Sequence, residues 1–245
     1  MKLEFSNVYE DEKRAEAYSK MEFPGTYYLA YRDLPDIFSK HVKGRNALDF
    51  GCGSGRSTRF LQSLGFHTVG VDISENMVKR AKHLDPEGDY RVIKEGDFSE
   101  FGDSSFDLIL AAFPFDNIPT LEQKVMNLRA MTRILKDKGV FVNLVSSPEI
   151  YYHEWASFST KDFPENKEAE SGDIVRIIQC DIDDKRPVED IIWFHDAYLE
   201  TYAQSGLQTI QVYRPLGKSE EPVKWINEED IAPWVIYVLC KSAVQ

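Results

Sequence analysis

The stretch ALDFGCGSGRST, Ala47–Thr58, constrains this chain more than any other. An apolar run, Ala47–Phe50, carries Asp49 near its end and leads into Gly51, Gly53 and Gly55, after which a helical pattern begins at Arg56. Glycines permit a tight turn and let a ligand come close to the backbone. A strand, a glycine turn and a helix in succession belong to an open α/β sheet, whose ligands sit beyond the carboxyl ends of its strands.

The rest of the chain keeps that rhythm. The helix from Arg56 runs to Leu64 and closes at Gly65. His67–Ile73 reads as a second strand, with Ser74 as N-cap of a helix through His83, and Tyr90–Lys94 and Phe106–Ala112 read as the third and fourth strands. Thr120 and Gln123 form a capping box, and Leu121, Val125, Leu128, Met131 and Leu135 share one helical face. Gly139–Ser146 is a fifth strand. Beyond it, Ile174–Ile182 and Glu189–Phe194 read as an antiparallel pair joined by DDKRP, followed by a helix at Asp196–Ser205 and strands at Gln208–Arg214 and Trp234–Cys240. The expected fold is α/β: a Rossmann-like, seven-stranded, mostly parallel sheet with helices on both faces, an N-terminal helical cap and a β insertion after strand five. The cap holds Tyr18, Tyr27, Tyr28 and Tyr31 over the sheet's carboxyl edge, where packing and ligand contact are equally open roles.

Asp72 closes the run TVGVD at the tip of strand two, where a carboxylate can accept both hydroxyls of a ribose. Two details separate a sulfonium nucleoside from a dinucleotide. The dinucleotide fingerprint wants its third glycine where Arg56 stands, one residue after Gly55. Asp49 is also badly placed beside a pyrophosphate and well placed beside a cationic amino group.

LDFGCGSG resembles the first motif of class I S-adenosylmethionine-dependent methyltransferases. VGVDIS resembles their second strand end, EGDF their adenine-contacting segment, FDLILAAFPFDNIP their fourth strand and loop, and ILKDKGVFVN their lead into strand five. The resemblance covers roughly Lys43–Val145, and the layout of Ser147–Gln245 is similar to that of small-molecule methyltransferases with a β insertion, toxoflavin-synthase-like enzymes among them. It implies a single methyltransferase domain over 1–245: cap 1–42, cofactor-binding core 43–146, substrate-side insertion 147–194 and the remaining sheet 195–245. It implies S-adenosyl-L-methionine as cofactor and methyl transfer to a small-molecule N or O acceptor, aromatic or amine. By resemblance, Gly51, Gly53 and Gly55 line the methionine part, Asp49 sits near its amino group, Asp72 holds the ribose and Ile73 lies beside the adenine. Asp97 accepts from the adenine amino group, the Phe98 backbone touches the ring, and Ala112 and Phe113 lie under the sulfonium. Tyr18, Tyr31 and Arg32 are alternatives for the cofactor carboxylate.

The acceptor side is less determined. In-line methyl transfer asks the protein to align a nucleophile and exclude water, with Phe113 and Phe115 as aromatic faces near the sulfonium. A base is needed for an oxygen or a protonated amine; Asp116, His153 and His195 are the candidates. The pair Asp116-Asn117 follows strand four, whereas metal-dependent catechol-type enzymes carry such a pair after strand five, so no metal is expected. A formal net charge of -12 argues against nucleic acid and anionic membranes as partners. Cys52, Cys180 and Cys240 make neither a disulfide framework nor a zinc pattern, and the N-terminal residues carry no apolar leader, so the expected location is the cytoplasm. Two other functions compete: a catalytically silent cofactor-binding regulatory module, and a Rossmann NAD-dependent oxidoreductase.

Overall fold

Near-continuous burial along the central strands demands a sheet covered on both faces, and the computed structural model, which describes residues 23–243, has one. Among the described residues ten strands form: β1 (Asn46–Phe50), β2 (His67–Asp72), β3 (Asp89–Val92), β4 (Phe106–Ala112), β5 (Leu135–Ser146), β6 (Phe158–Ser159), β7 (Ile174–Gln179), β8 (Val188–Ile191), β9 (Leu207–Tyr213) and β10 (Trp234–Lys241). Seven of them make the main sheet, in the order β3-β2-β1-β4-β5-β10-β9. β1 to β5 pair in parallel, while β10 runs antiparallel to both β5 and β9. The order reverses between β1 and β4, which opens a crevice at their carboxyl ends.

Ala47, Leu108, Leu110, Val140, Val142 and Ile236 face one way. Helices α1 (Thr26–Arg32), α2 (Leu34–His41) and α3 (Arg56–Ser63) cover them through Leu29, Phe38 and Leu61. The alternate residues Leu48, Ile109, Ala111, Phe141 and Leu239 face α5 (Leu121–Ile134) and α6 (His195–Gln204), and α4 (Glu75–Leu84) packs on β2 and β3. Ser74 and Thr120 cap their helices as expected, accepting from the N–H groups of Met77 and Gln123. No helix among the described residues is long and apolar enough to cross a membrane.

Several boundaries move. Leu135 begins β5 instead of ending α5: its backbone is extended, yet its side chain stays fully buried, so burial at helical spacing misassigned it. β3 stops at Val92. β8 stops at Ile191, because Phe194 becomes the N-cap of α6. The antiparallel pair of the insertion does form, with Ile174 opposite Ile191, and β6 joins it in a separate three-stranded sheet. Among the described residues of the cap, α1 reaches the carboxyl edge, where Tyr27 stacks on Trp234, and α2 packs along a sheet face through Phe38 on Phe66.

One buried carboxylate ties these late and early segments together. Glu228 Oε1 accepts from the Thr26 hydroxyl at 2.7 Å and from Ala156 N–H at 2.8 Å, while Oε2 accepts from Ile226 and Asn227 N–H. Thr26 and Ser157 exchange two further hydrogen bonds, and the Trp234 indole donates to the Thr26 carbonyl. The start of α1, the insertion and the loop before β10 are thus fixed to one another over the sheet edge.

Candidate functional site

The crevice divides into two adjoining cavities. The first opens at the tips of β1 and β2, with Gly51, Gly53, Asp72, Ile73, Ala112 and Phe113 in its wall. Gly53 has φ +53, and a Cβ there would stand 3.2 Å from the Met77 methyl. Its N–H donates to Asp72 Oδ2 at 2.9 Å, and Ser74 N–H donates to Oδ1 at 2.8 Å. The Asp72 carboxylate is therefore fixed by backbone donors on both oxygens, with lone pairs left for a ligand. Burial pushes its carboxyl up, and the two N–H groups pull against that rise. Gly55, at φ +84, starts α3 and lies where a Cβ would strike the Tyr90 ring.

Asp49 lies beneath this turn and off the cavity wall, fully buried. Its Oδ2 accepts from the hydroxyls of Ser57 at 2.7 Å and Thr58 at 2.6 Å, while Oδ1 is buried without a hydrogen-bond partner. Burial pushes its carboxyl up to about 6 against the pull of those hydroxyls.

The second cavity shares Phe113 and Asn117 with the first. Phe113 sits at φ +72, a left-handed conformation uncommon for a bulky residue and one that clusters at functional sites. Edge contacts from Tyr27 and Trp234, at 5.7 and 4.8 Å between ring centres, pin it there. Asp116, Tyr151, Phe158 and Asp190 complete the polar and aromatic wall. Asp116 is 4% exposed, and its Oδ2 accepts from Ser146 N–H at 3.0 Å. Lys124 is fully buried nearby, donating to the Phe115 carbonyl and lying 4.9 Å from the Trp193 ring centre. Burial raises the Asp116 carboxyl and lowers the Lys124 ammonium, and each charge partly offsets the other's shift.

The remaining expected residues scatter. Asp97 is exposed and turns back to accept from Ser99 N–H at 3.0 Å, while Phe98 packs in the core between Phe50 and Phe101. Ile93 and Glu95 stand on the cavity wall instead. Tyr18 lies outside the described residues. Tyr31 is buried against Phe23 and Phe60, beneath the Arg56 guanidinium. Arg32 pairs with Asp33 and Glu221 and donates to the Leu216 carbonyl, away from the first cavity. Phe115 is buried between Phe50 and Phe141 and lines neither cavity. His153 lies edge-on to Trp155, and His195 stacks on Tyr237, its Nδ1 2.9 Å from the Tyr237 hydroxyl in a third cavity. Of the three candidate bases, Asp116 alone lines the second cavity.

Asp190, Lys124 and Glu228 escaped the sequence reading. Lys124 did leave a signal: it falls on the apolar face of α5, three residues after Leu121 and four before Leu128, where a charge is out of place. Asp190 left none, because a half-buried acidic residue in a short strand reads as a solvated face.

Residues 48–143 match a family described as a methyltransferase domain. An uncharacterized protein of Methanocaldococcus jannaschii is 32% identical over 145 residues, covering 59% of this chain and 52% of its own length. A cypemycin N-terminal methyltransferase from a Streptomyces species is 33% identical over 136 residues, covering 53% of each chain. This chain thus spans about half the length of these curated relatives. Among solved structures, an S-adenosylmethionine-dependent methyltransferase from Clostridium acetobutylicum superposes with a TM-score of 0.63 at 14% identity, over 97% of this chain and 100% of that one. The fold is the Rossmann-like α/β fold of class I methyltransferases.

Proposed function

We propose that this chain, whose core is a class I methyltransferase domain, moves a methyl group from S-adenosylmethionine to a small-molecule N or O acceptor. The observation that carries this reading is the pair of adjoining cavities, which share Phe113 and Asn117. One is built for a nucleoside, and the other stands where an acceptor must lie.

The residues present fit the cofactor. Gly53 leaves a side-chain-free wall, Asp72 presents a backbone-fixed carboxylate, and Asp49 keeps a buried acceptor atom without a partner. Asp72 would hold the ribose hydroxyls, Gly51, Gly53 and Gly55 the methionine part, and Ala112 and Phe113 the region of the sulfur. Ile73, Ile93 and Glu95 would flank the adenine; Asp97 and Phe98 take no part in this assignment. Asp49 would reach the amino group through water. When bound, S-adenosylmethionine supplies an electrophilic methyl on a sulfonium. The chain's own work is to orient an acceptor, exclude water and hold a proton, and Asp116 is placed for the last of these.

Titration calorimetry with S-adenosylhomocysteine tests the assignment. Asp72→Ala, in a variant that remains folded, is expected to cost about 1.5–3 kcal/mol for each charged hydrogen bond lost. Unchanged affinity would remove Asp72 from the site.

A further inference from the structure

We infer that the third cavity is a binding site for a small aromatic carboxylate, a role that goes beyond methyl transfer. The cavity opens beside the end of β5 and the start of β10, with Ser146, Val235, Tyr237 and Arg214 in its wall. Among the described residues it shares no wall with the first cavity, and Ser146 alone with the second. Its volume is about 210 Å³, above the roughly 150 Å³ at which an apolar cavity takes up benzene.

Two donor side chains on that wall make no hydrogen bond. The Trp193 indole N–H is buried without a partner, and so is the Tyr198 hydroxyl, on a residue 2% exposed. The two rings meet edge-on, with centres 6.5 Å apart. An indole nitrogen can only donate, so what satisfies it must accept. Asp116 and Tyr198 are close enough to act on each other's ionisation, but no hydrogen bond closes from the Tyr198 hydroxyl. Burial, with that carboxylate nearby, keeps the Tyr198 phenol protonated and therefore a donor. Backbone adds to these side chains. Phe194 and His195, also on the wall, are the N-cap and first residue of α6, and Phe194 has no side-chain oxygen to offer the first-turn N–H groups. The partial positive charge of such a helix end favours an anion.

Charges of both signs surround the cavity. Arg214 acts on the ionisation of Tyr237 across the wall, and Lys124 lies 4.9 Å from the Trp193 ring centre and 5.9 Å from that of Tyr198. Against them stand Glu149, exposed on the wall, Asp196 in the first turn of α6, and Asp116. These opposed charges leave the choice of ligand to the unmet donors. An ammonium would leave the Trp193 N–H unsatisfied and bring like charge to the helix end. A carboxylate brings two acceptor oxygens and the charge that suits both the helix end and a guanidinium. Tyr152, Phe194 and Tyr237 supply flat apolar surface for a ring attached to it.

The test is calorimetry on the full chain, using 3-phenylpropanoate, 3-phenylpropan-1-ol and 3-phenylpropan-1-amine as probes. The carboxylate is expected to bind at least tenfold more tightly than the alcohol, and the amine not at all. Trp193→Phe keeps a ring and removes the N–H, while Tyr198→Phe removes the hydroxyl alone. Each is expected to weaken the carboxylate about tenfold, and to stay folded by circular dichroism because the lost group leaves no partner behind. Arg214→Gln, a change on an exposed side chain, is expected to weaken the carboxylate about threefold and to leave the alcohol unchanged. If no probe binds, the cavity holds water alone and the inference falls. It falls equally if the alcohol or the amine matches the carboxylate, or if the folded variants hold the carboxylate as the wild type does.

Discussion

The two cavities are built from different materials. The first is backbone: glycine turns, N–H groups aimed at Asp72, and a short path from β1 to β2 that pairs residues about twenty positions apart. The second is side chain: Tyr27 from α1, Asp116 from the turn after β4, Asp190 from β8 and Trp234 from β10. A backbone cradle accepts one nucleoside with little room for change. A side-chain wall can be rewritten residue by residue while the sheet stays as it is. On the proposed reading, the fold separates a fixed half, for the cofactor, from an adjustable half, for the acceptor.

The largest effect expected is on the adjustable side. Trp234 is 2% exposed, and its indole donates to the Thr26 carbonyl. Trp234→Ala should cost about 3–5 kcal/mol of stability. Urea unfolding that shows less than about 1 kcal/mol would mean the acceptor wall is separable from the core, which would sharpen the division drawn above. Next comes the fixed side. Gly53→Val places a branched side chain at φ +53 beside Met77, and it should weaken S-adenosylhomocysteine at least a hundredfold, about 2.7 kcal/mol. A folded variant that binds like wild type would show that the cradle is not backbone-limited, and the comparison would break.

A smaller effect concerns pH. The Asp49 carboxyl is lifted from 3.8 to about 6, so the folded chain holds that proton more tightly than the unfolded one. Stability contributed by this group therefore falls as pH rises from 3.8 to about 6, and stays low above. Asp49→Asn should remove that slope. In the absence of ligand it should be roughly 2–3 kcal/mol more stable than wild type at pH 8 and no more stable near pH 3, while binding S-adenosylhomocysteine more weakly. Denaturant titrations at the two pH values that give parallel differences would contradict the burial argument. The smallest effect lies between the halves: Thr120→Ala removes the N-cap of α5 and should cost about 1 kcal/mol without altering S-adenosylhomocysteine affinity.

The same contrast explains what the sequence made legible. The succession of strands and helices, the glycine turn after β1 and the position of Asp72 at the end of β2 were readable because backbone requirements leave local signatures, namely glycine at fixed offsets and an acid at a strand tip. Asp97 was misleading for a related reason: its segment has the expected composition, but Asp97 N–H bonds back to the Lys94 carbonyl and the turn faces the acid outward. The aromatic wall was only half readable. Tyr27 of the cap lines the second cavity, whereas Phe115, expected as an aromatic face near the sulfonium, packs in the core between Phe50 and Phe141. Composition says that rings gather near an edge. It does not say which way each points, because that depends on contacts such as Thr26 to Glu228, 202 positions apart.

The place of β10 in the sheet has a temporal consequence. It fits between β5 and β9 although it follows both in the chain. As the polypeptide leaves the ribosome, β5 therefore emerges with its outer edge unpaired, and it stays so until residues beyond Lys241 clear the exit. At roughly 5–20 residues per second, that interval is on the order of ten seconds. During it, Val140–Val145, apolar except for Asn143, presents open backbone donors and acceptors, the kind of edge that recruits other strands. A nascent chain stalled just before Trp234 is thus expected to aggregate or to hold a chaperone, even though the half of the sheet around β1 and β2 is already complete.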